Sequence, residues 1–208
     1  MFWKTDQPHG LPHSPFKSCI VPRPIGWIST IGPDGTANLA PYSFFNGLSD
    51  DPPMVMFASG SRAADAPKDS IYNAEQTGEF VCSMVSYNLR EVMNETSAAY
   101  GPEVDEAGVL GIEMEPSELV RPMRVKAAPI HMECRYHDTM HLPKDKRGGQ
   151  NSICVGFVVG IHIRDEFLKN GLVDIEKIRP LARLGYMDYT SVQEILTLNR
   201  PNLKSAAE

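Results

Sequence analysis

Short apolar runs recur along the chain, and turn-forming residues separate them. Residues 25–31 form such a run, rich in β-branched side chains, and residues 32–35 (GPDG) follow directly. Proline presets φ and glycine accepts positive φ, so this tetrapeptide predicts a tight turn. Residues 36–46 are therefore the predicted hairpin partner of the first strand.

Further strands are predicted at residues 54–58, 79–84, 130–136 and 152–163. Helical patterns are confined to two places. The first helix should begin within residues 65–69, where an acid and an early proline lie, and end at Gly78, with Ile71 and Ala74 inward. The second is predicted from Ser86 to about Ala99. Many strands with few helices favour a small β-barrel or sandwich.

Composition narrows the class of protein further. A chain of 208 residues with 42% hydrophobic residues suits one globular domain. Its formal charge of -6 repels phosphate backbones, which argues against general binding of nucleic acid. No apolar run approaches the roughly 20 residues that cross a bilayer.

The four cysteines are scattered without a CxxC pair, which argues against a disulfide framework. Cys19, Cys82 and Cys154 lie in apolar contexts and are predicted to be reduced core thiols of a cytoplasmic protein. Cys134, His137 and His141 have a spacing that could suit zinc, but no second cysteine lies near. Polar or surface histidines are the preferred interpretation, and no metal is predicted.

Several ordered motifs identify a family more specifically than any single short pattern can. They are residues 11–17 (LPHSPFK), 21–30 (VPRPIGWIST), 35–46 (GTANLAPYSFFN), 52–57 (PPMVMF), 68–70 (KDS), 77–81 (TGEFV) and 181–189 (LARLGYMDY). Together they closely resemble the flavin reductase-like family. The resemblance implies a mainly β fold, the FMN-binding split β-barrel with a few peripheral helices, and a homodimer with FMN near its interface. The prolines of residues 1–17 predict an extended arm there. A barrel domain is expected over residues 18–190 and a tail over 191–208.

The same resemblance implies which residues bind the cofactor. The isoalloxazine ring is expected against the barrel edge formed by Ser29, Thr30, Ala40, Pro41, Tyr42, Ser43 and Asn46. The phosphate is expected at Ser59, Ser61, Arg62, Lys68, Asp69 and Ser70, where a helix start, hydroxyls and two cations meet. Arg183 is expected to approach the flavin from the closing motif. The alternatives are core or dimer packing for the aromatic residues and a solvated loop for the phosphate segment.

Two residues of the first motif keep two interpretations each. Arg23 could assist the ribityl chain or hold the barrel entrance by pairing with a carboxylate, and Trp27 could shield the flavin or close the barrel. Some reductases of the family carry a Gly-Asp-His motif that helps to bind the nicotinamide nucleotide. Residues 148–152 (GGQNS) correspond to it here without the Asp-His pair.

The leading hypothesis is an FMN-dependent oxidoreductase, an NAD(P)H:flavin reductase that passes hydride to flavin N5, with a monooxygenase as a possible partner. The flavin carries the chemistry, so no catalytic side chain is predicted. The alternatives are a non-enzymatic FMN-binding electron carrier or flavin-storage protein, and a structural or regulatory dimer on the same barrel. The sequence leaves open the choice of NADH or NADPH and the electron acceptor.

Overall fold

The computed structural model describes residues 1–61, 67–146 and 148–201. Fourteen strands are named: β1 Arg23–Pro24, β2 Gly26–Ile31, β3 Ala37–Tyr42, β4 Phe45–Asp50, β5 Pro53–Ser59, β6 Glu79–Met84, β7 Met114–Glu115, β8 Arg124–Val125, β9 Ile130–Lys144, β10 Gln150–Ile163, β11 Leu168–Lys169, β12 Leu172–Val173, β13 Leu181–Arg183 and β14 Tyr189–Ser191. The helices are α1 Asp69–Thr77, α2 Arg90–Glu95, α3 Glu106–Leu110 and α4 Ile175–Ile178. Short 3-10 helices cover Phe16–Cys19, Tyr87–Leu89 and Asp165–Phe167.

Seven antiparallel strands form the main sheet, in the order β3-β2-β6-β9-β10-β5-β4. The sheet rolls up, because its two edge strands are consecutive in the chain and meet through Ser43 and Phe44. The rings of Tyr42 and Phe57 lie 5.1 Å apart across this seam. A Cβ on Gly26 would come within 2.5 Å of the Phe45 ring, so the closure requires glycine there.

The seam corrects one prediction. Residues 36–46 were expected to form a single strand, but the strand breaks after Tyr42 and β4 begins at Phe45. The reason is a change of partner: β3 pairs with β2, whereas Phe45 pairs with Phe57 on β5. The Phe44 carbonyl accepts a hydrogen bond of 2.7 Å from the Ala58 amide, which carries the chain across.

Alternation along the strands builds two cores, because successive side chains of a strand point to opposite faces. On β2, Ile28 packs into the barrel interior with Phe57 and Phe80. Its neighbour Trp27 points to the other face and packs with Met93 of α2. The second core joins the barrel to α2 and α3, and so fixes the segment between them.

The helices confirm the predicted positions but are shorter. In α1, Ile71 and Ala74 are buried as expected, and Gly78 ends the helix at φ +75°. The helix begins at Asp69, at the end of the predicted range, and the expected capping acid Asp65 lies outside the described residues.

The second helix was expected to reach Ala99 but ends at Glu95. Thr96 closes it by donating its hydroxyl to the Met93 carbonyl at 2.7 Å, while that same hydroxyl accepts 2.9 Å from Trp27 Nε1.

The prediction that Cys19 belongs to a core was wrong, because this residue is exposed. Cys82, Cys134 and Cys154 are buried in the barrel interior as free thiols, and burial raises the pKa of Cys82 and of Cys154. Within the described residues, no helix is long and apolar enough to cross a membrane.

Candidate functional site

A cleft of about 440 Å³ opens where the end of β3 meets the start of α1. Its third side is the irregular segment that follows α2, residues 96–101. The described residues that line the cleft are Asn38, Ala40, Pro41, Tyr42, Ser61, Lys68, Asp69, Ser70, Thr96, Ser97, Ala98, Ala99, Tyr100, Gly101 and Glu106. Seven of the fourteen predicted site residues are therefore together: Ala40, Pro41, Tyr42, Ser61, Lys68, Asp69 and Ser70.

A chain of buried hydrogen bonds forms the floor of the cleft. The Tyr42 hydroxyl donates to Ser70 Oγ at 3.0 Å, and Ser70 Oγ donates to Asn38 Oδ1 at 2.6 Å. Asn38 Nδ2 then donates to Glu106 Oε1 at 2.8 Å, and the Leu39 amide donates to Glu106 Oε2 at 2.8 Å. Strand alternation brings Asn38 and Tyr42 to one face of β3, from which both can reach α1.

Burial controls protonation along this floor. It raises the pKa of Tyr42 to about 12, so the phenol stays protonated and donates at neutral pH. Burial also raises the pKa of Glu106 above its usual range, and the hydrogen bonds from Leu39 and Asn38 offset only part of that effect. The Ser70 hydroxyl accepts from Tyr42 and donates to Asn38, so its proton is engaged within the floor and not in the open cleft.

The start of α1 supplies the cleft with one cation and with one acid. Lys68 directly precedes α1, where the dipole of the helix favours anions, and Asp69 and Ser61 line the cleft as well. Ser61 Oγ accepts from the Gln150 amide at 3.1 Å, which ties this part of the cleft to the start of β10. Ser59 lies at the end of β5, where its hydroxyl donates to the Gly60 carbonyl at 3.0 Å. Arg62 lies outside the described residues.

Three predicted ring contacts lie away from the cleft. Ser29 is buried and donates to the Met123 carbonyl at 2.5 Å, and Thr30 is buried and accepts from Asn73 Nδ2 at 3.1 Å. Asn46 is exposed on the edge strand β4, with its Oδ1 accepting from the Gly47 amide. The break after Tyr42 explains the position of Asn46, because β4 leaves the line of β3.

A smaller cavity of about 170 Å³ adjoins the cleft, and we call it the annex. The two share Pro41 and Ser97, and the annex contains the predicted residues Ser43 and Arg183.

Arg23 also lines the annex, and its guanidinium is hydrogen-bonded to the backbone at the barrel entrance. It donates to the carbonyls of Lys17, Ile20 and Leu184 at 2.5, 2.7 and 2.8 Å. Its partners are thus carbonyl groups and not the carboxylate that was considered. Trp27 is completely buried, which favours the packing interpretation of its role.

Sequence reasoning missed Glu106 and residues 96–101. Asn38 belongs to a quoted motif, but the contribution of Glu106 depends on a contact 68 residues away and has no local signal. The histidines of the possible zinc pattern are dispersed: His137 packs on Phe157 at 4.9 Å, and His141 Nδ1 lies 3.0 Å from Ser152 Oγ. Among the described residues, no group of three or more His, Cys, Asp or Glu could hold a metal ion.

The rolled seven-stranded sheet with its few peripheral helices defines the class of FMN-binding split β-barrel proteins. A family model described as the flavin reductase like domain matches residues 18–182, and the chain belongs to that family.

An uncharacterized protein of Aquifex aeolicus is 38% identical over 167 residues, which cover 80% of this chain and 82% of that protein. Nitrilotriacetate monooxygenase component B from Bacillus cereus superposes with a TM-score of 0.87 at 26% identity, covering 95% of this chain and 98% of that one. The 2-nitrobenzoate 2-nitroreductase of Pseudomonas fluorescens gives a TM-score of 0.77 at 27% identity, covering 93% and 92%.

Proposed function

We propose that the cleft binds FMN and that the chain is an NAD(P)H:flavin reductase. The observation that carries the proposal is the mixed lining of the cleft. Lys68, Ser61 and the start of α1 offer the charge and donors that a phosphate needs. Ala40 and Pro41 in the same lining are small and uncharged.

The residues present fit this cofactor in size and in chemistry. A volume of about 440 Å³ lies within the range of about 300–1,000 Å³ for small-molecule and cofactor sites. Ala40, Pro41, Ala98 and Ala99 line the cleft and offer small apolar surfaces to a flat ring system. Lys68 and Ser61 would hold the phosphate.

FMN, when bound, supplies an acceptor at N5 for the hydride that leaves C4 of NAD(P)H, which becomes NAD(P)⁺. The work of the chain is binding and orientation. Tyr42 keeps its proton at neutral pH, so it remains a hydrogen-bond donor within the floor.

The proposal includes a homodimer in the cytoplasm and a partner oxygenase that uses the reduced flavin. The family resemblance supports the dimer, and four free cysteines are compatible with a reducing compartment. The name of the Bacillus cereus relative, a monooxygenase component, supports the partner.

A second candidate is an FMN-binding electron carrier or flavin store. The observation that favours it is Gln150-Asn151, which stands where some relatives carry the Asp-His pair for the nicotinamide nucleotide. Anaerobic addition of NADH, and separately NADPH, to the FMN-loaded protein decides between the two. We expect rapid bleaching of the flavin absorbance by one donor; a flavin that stays oxidised with both would favour the carrier and overturn the reductase.

The phosphate assignment predicts a selective loss on removing the cation. Lys68→Ala should weaken FMN about 10-fold or more, because a charge-assisted hydrogen bond contributes about 1.5–3 kcal/mol, and should leave riboflavin unaffected. Fluorescence titration of both flavins measures this. Lys169→Ala, on the exposed strand β11, is the matched control and should change neither affinity. Equal losses of FMN and riboflavin would contradict the assignment.

A further inference from the structure

A cavity of about 410 Å³ opens at the surface of the second core, and we call it the apolar cavity. Its lining comes from several parts of the chain: Trp27, Leu89, Val92, residues 111–113, residues 125–127 and Arg164. No described residue lines both this cavity and the cleft or the annex, so it is a separate site. Its volume lies within the range of about 300–1,000 Å³ for small-molecule sites.

The walls of the apolar cavity are largely aliphatic. Trp27 and Val125 are completely buried in the second core. Leu89, Val92 and Ile112 pack against that core but keep part of their surface exposed. Because these three side chains also line the cavity, a ligand with an apolar chain could remove that remaining surface from water.

Arg164 brings a cation with unused hydrogen-bond donors to this lining. Its Nη2 donates to the Lys126 carbonyl, which fixes the position of the guanidinium group. Its Nη1 lies 3.8 Å from Glu166 Oε1, which is too long for a hydrogen bond, and its buried Nε has no hydrogen-bond partner among the described residues. An anion at Nη1 would therefore accept from a donor that the described part of the chain leaves open.

The other two charges of the lining compensate each other. Lys126 Nζ donates to Glu113 Oε2 at 2.6 Å, and both side chains are exposed. The hydrogen bond and the charge of Glu113 raise the pKa of Lys126, whereas the charge of Arg164 lowers it, so the two cations are close enough to interact. The described lining thus has one net positive charge, which suits a monoanion better than a dianion.

We propose that the apolar cavity binds a small apolar monocarboxylate, with its carbon chain against Leu89, Val92 and Ile112 and its carboxylate at Arg164. The ligand class follows from the lining, since an aliphatic wall and a single guanidinium with open donors match the two ends of such a molecule. The proposal goes beyond the proposed function, because it requires neither FMN nor NAD(P)H.

Calorimetric titration of the FMN-loaded protein with octanoate and with 1-octanol separates the two parts of this site. Wild type should bind octanoate at one saturable site. Arg164→Gln should weaken octanoate about 10-fold, because it removes a charge-assisted contact, and should change the affinity for 1-octanol less than about 2-fold. Arg164→Lys keeps the charge and should recover part of the affinity for octanoate.

A second variant tests the apolar walls. Ala127 is exposed and lines the cavity, so Ala127→Phe fills the cavity without replacing a core residue. It should weaken octanoate and 1-octanol alike, by about 10-fold or more, because the ring takes the place of the carbon chain. Arg200→Gln, at an exposed position outside the cavity, is the matched control and should change neither affinity. An unchanged dissociation constant for FMN shows that each variant is folded.

Trp27 reports where the ligand binds. The chain has two tryptophans, Trp3 and Trp27, so the emission of Trp3→Phe comes from Trp27 alone. Octanoate should change that emission along the same titration curve that calorimetry gives, because the indole lines the cavity.

Four results would overturn the proposal. They are wild-type protein that does not bind octanoate, Arg164→Gln that binds it as tightly as wild type, Ala127→Phe that keeps both affinities, and FMN that competes with octanoate. The last would place the carboxylate in the cleft. Failure of the proposed function is a different result, since the wild-type protein would then fail to bind FMN or to oxidise NAD(P)H.

Discussion

Two buried carboxylates, one on α3 and one on β9, have pKa shifts of opposite direction. Glu106 lies at the floor of the cleft and has a raised pKa. Glu133 on β9 is completely buried, and burial alone would raise its pKa as well. Hydrogen bonds from the amides of Glu118 and Leu119, at 2.8 and 2.6 Å, and from His162 Nε2 at 2.5 Å outweigh that effect and lower it.

The difference shows that the balance between burial and the surrounding hydrogen-bond donors sets the pKa of each carboxylate. Glu133 accepts from two backbone amides and from His162, whereas Glu106 accepts from the Leu39 amide, its own amide and the neutral amide group of Asn38. Glu133 fixes a loop by its charge. Glu106 instead accepts two hydrogen bonds in the network beneath the cleft, and its raised pKa shows that burial outweighs those donors.

Removing Glu133 should have the largest effect on stability. Glu133→Ala leaves two backbone amides and His162 without their buried acceptor, and we expect a loss of about 3–5 kcal/mol in the free energy of unfolding. Urea denaturation measures it. Glu113→Ala, which removes an exposed ion pair with Lys126, is the control and should keep the transition near that of wild type. If Glu133→Ala lowered the free energy of unfolding as little as the control does, the contrast between Glu133 and Glu106 would be contradicted.

Replacing Glu106 should cost less. Glu106→Gln keeps one oxygen acceptor but replaces the other with an NH2 group that would face a donor. We therefore expect the free energy of unfolding to fall by about 1–3 kcal/mol. Because the network includes Tyr42 and Ser70, FMN binding should weaken too. Glu95→Gln on α2, at an exposed position, is the control. Unchanged stability in Glu106→Gln would mean that the floor does not depend on this carboxylate.

The smallest expected effect is the change in the free energy of unfolding with pH. Its sign distinguishes the two carboxylates. Glu106 has a folded-state pKa above the ordinary value of 4.5, so its contribution is most favourable below that value and is lost as the pH rises through the folded pKa. Glu133 has a lowered pKa, so its contribution is present above 4.5 and is lost as the pH falls. Unfolding free energies measured for wild type, Glu106→Gln and Glu133→Gln on both sides of pH 4.5 should give difference slopes of opposite sign. Slopes of the same sign would refute the comparison.

Much of the barrel could be predicted because its signals are local. The strand at residues 79–84 and the end of α1 at Gly78 follow from apolar runs and turn chemistry. The position of Pro41 and Lys68 on one cleft also follows, because the family resemblance implied a common site for both.

The remaining features depend on partners that are distant in sequence. The break after Tyr42 arises because β5, and not β2, pairs with Phe45. Ser29 and Thr30 were expected at the flavin, but each is hydrogen-bonded to another segment, Ser29 to the Met123 carbonyl and Thr30 to Asn73. A sequence motif specifies the type of a residue, whereas its hydrogen-bond partner is set only when the chain is folded.

The two-residue seam at Ser43 and Phe44 has a consequence for how the barrel assembles. The hairpins β2–β3 and β4–β5 are adjacent in the chain, so the closing contacts between them join residues of low sequence separation. Closing a short loop costs little chain entropy compared with closing a long one. The seam and the adjoining wall of the cleft can therefore form early, as one local unit, before the long strands β9 and β10 dock from farther along the chain.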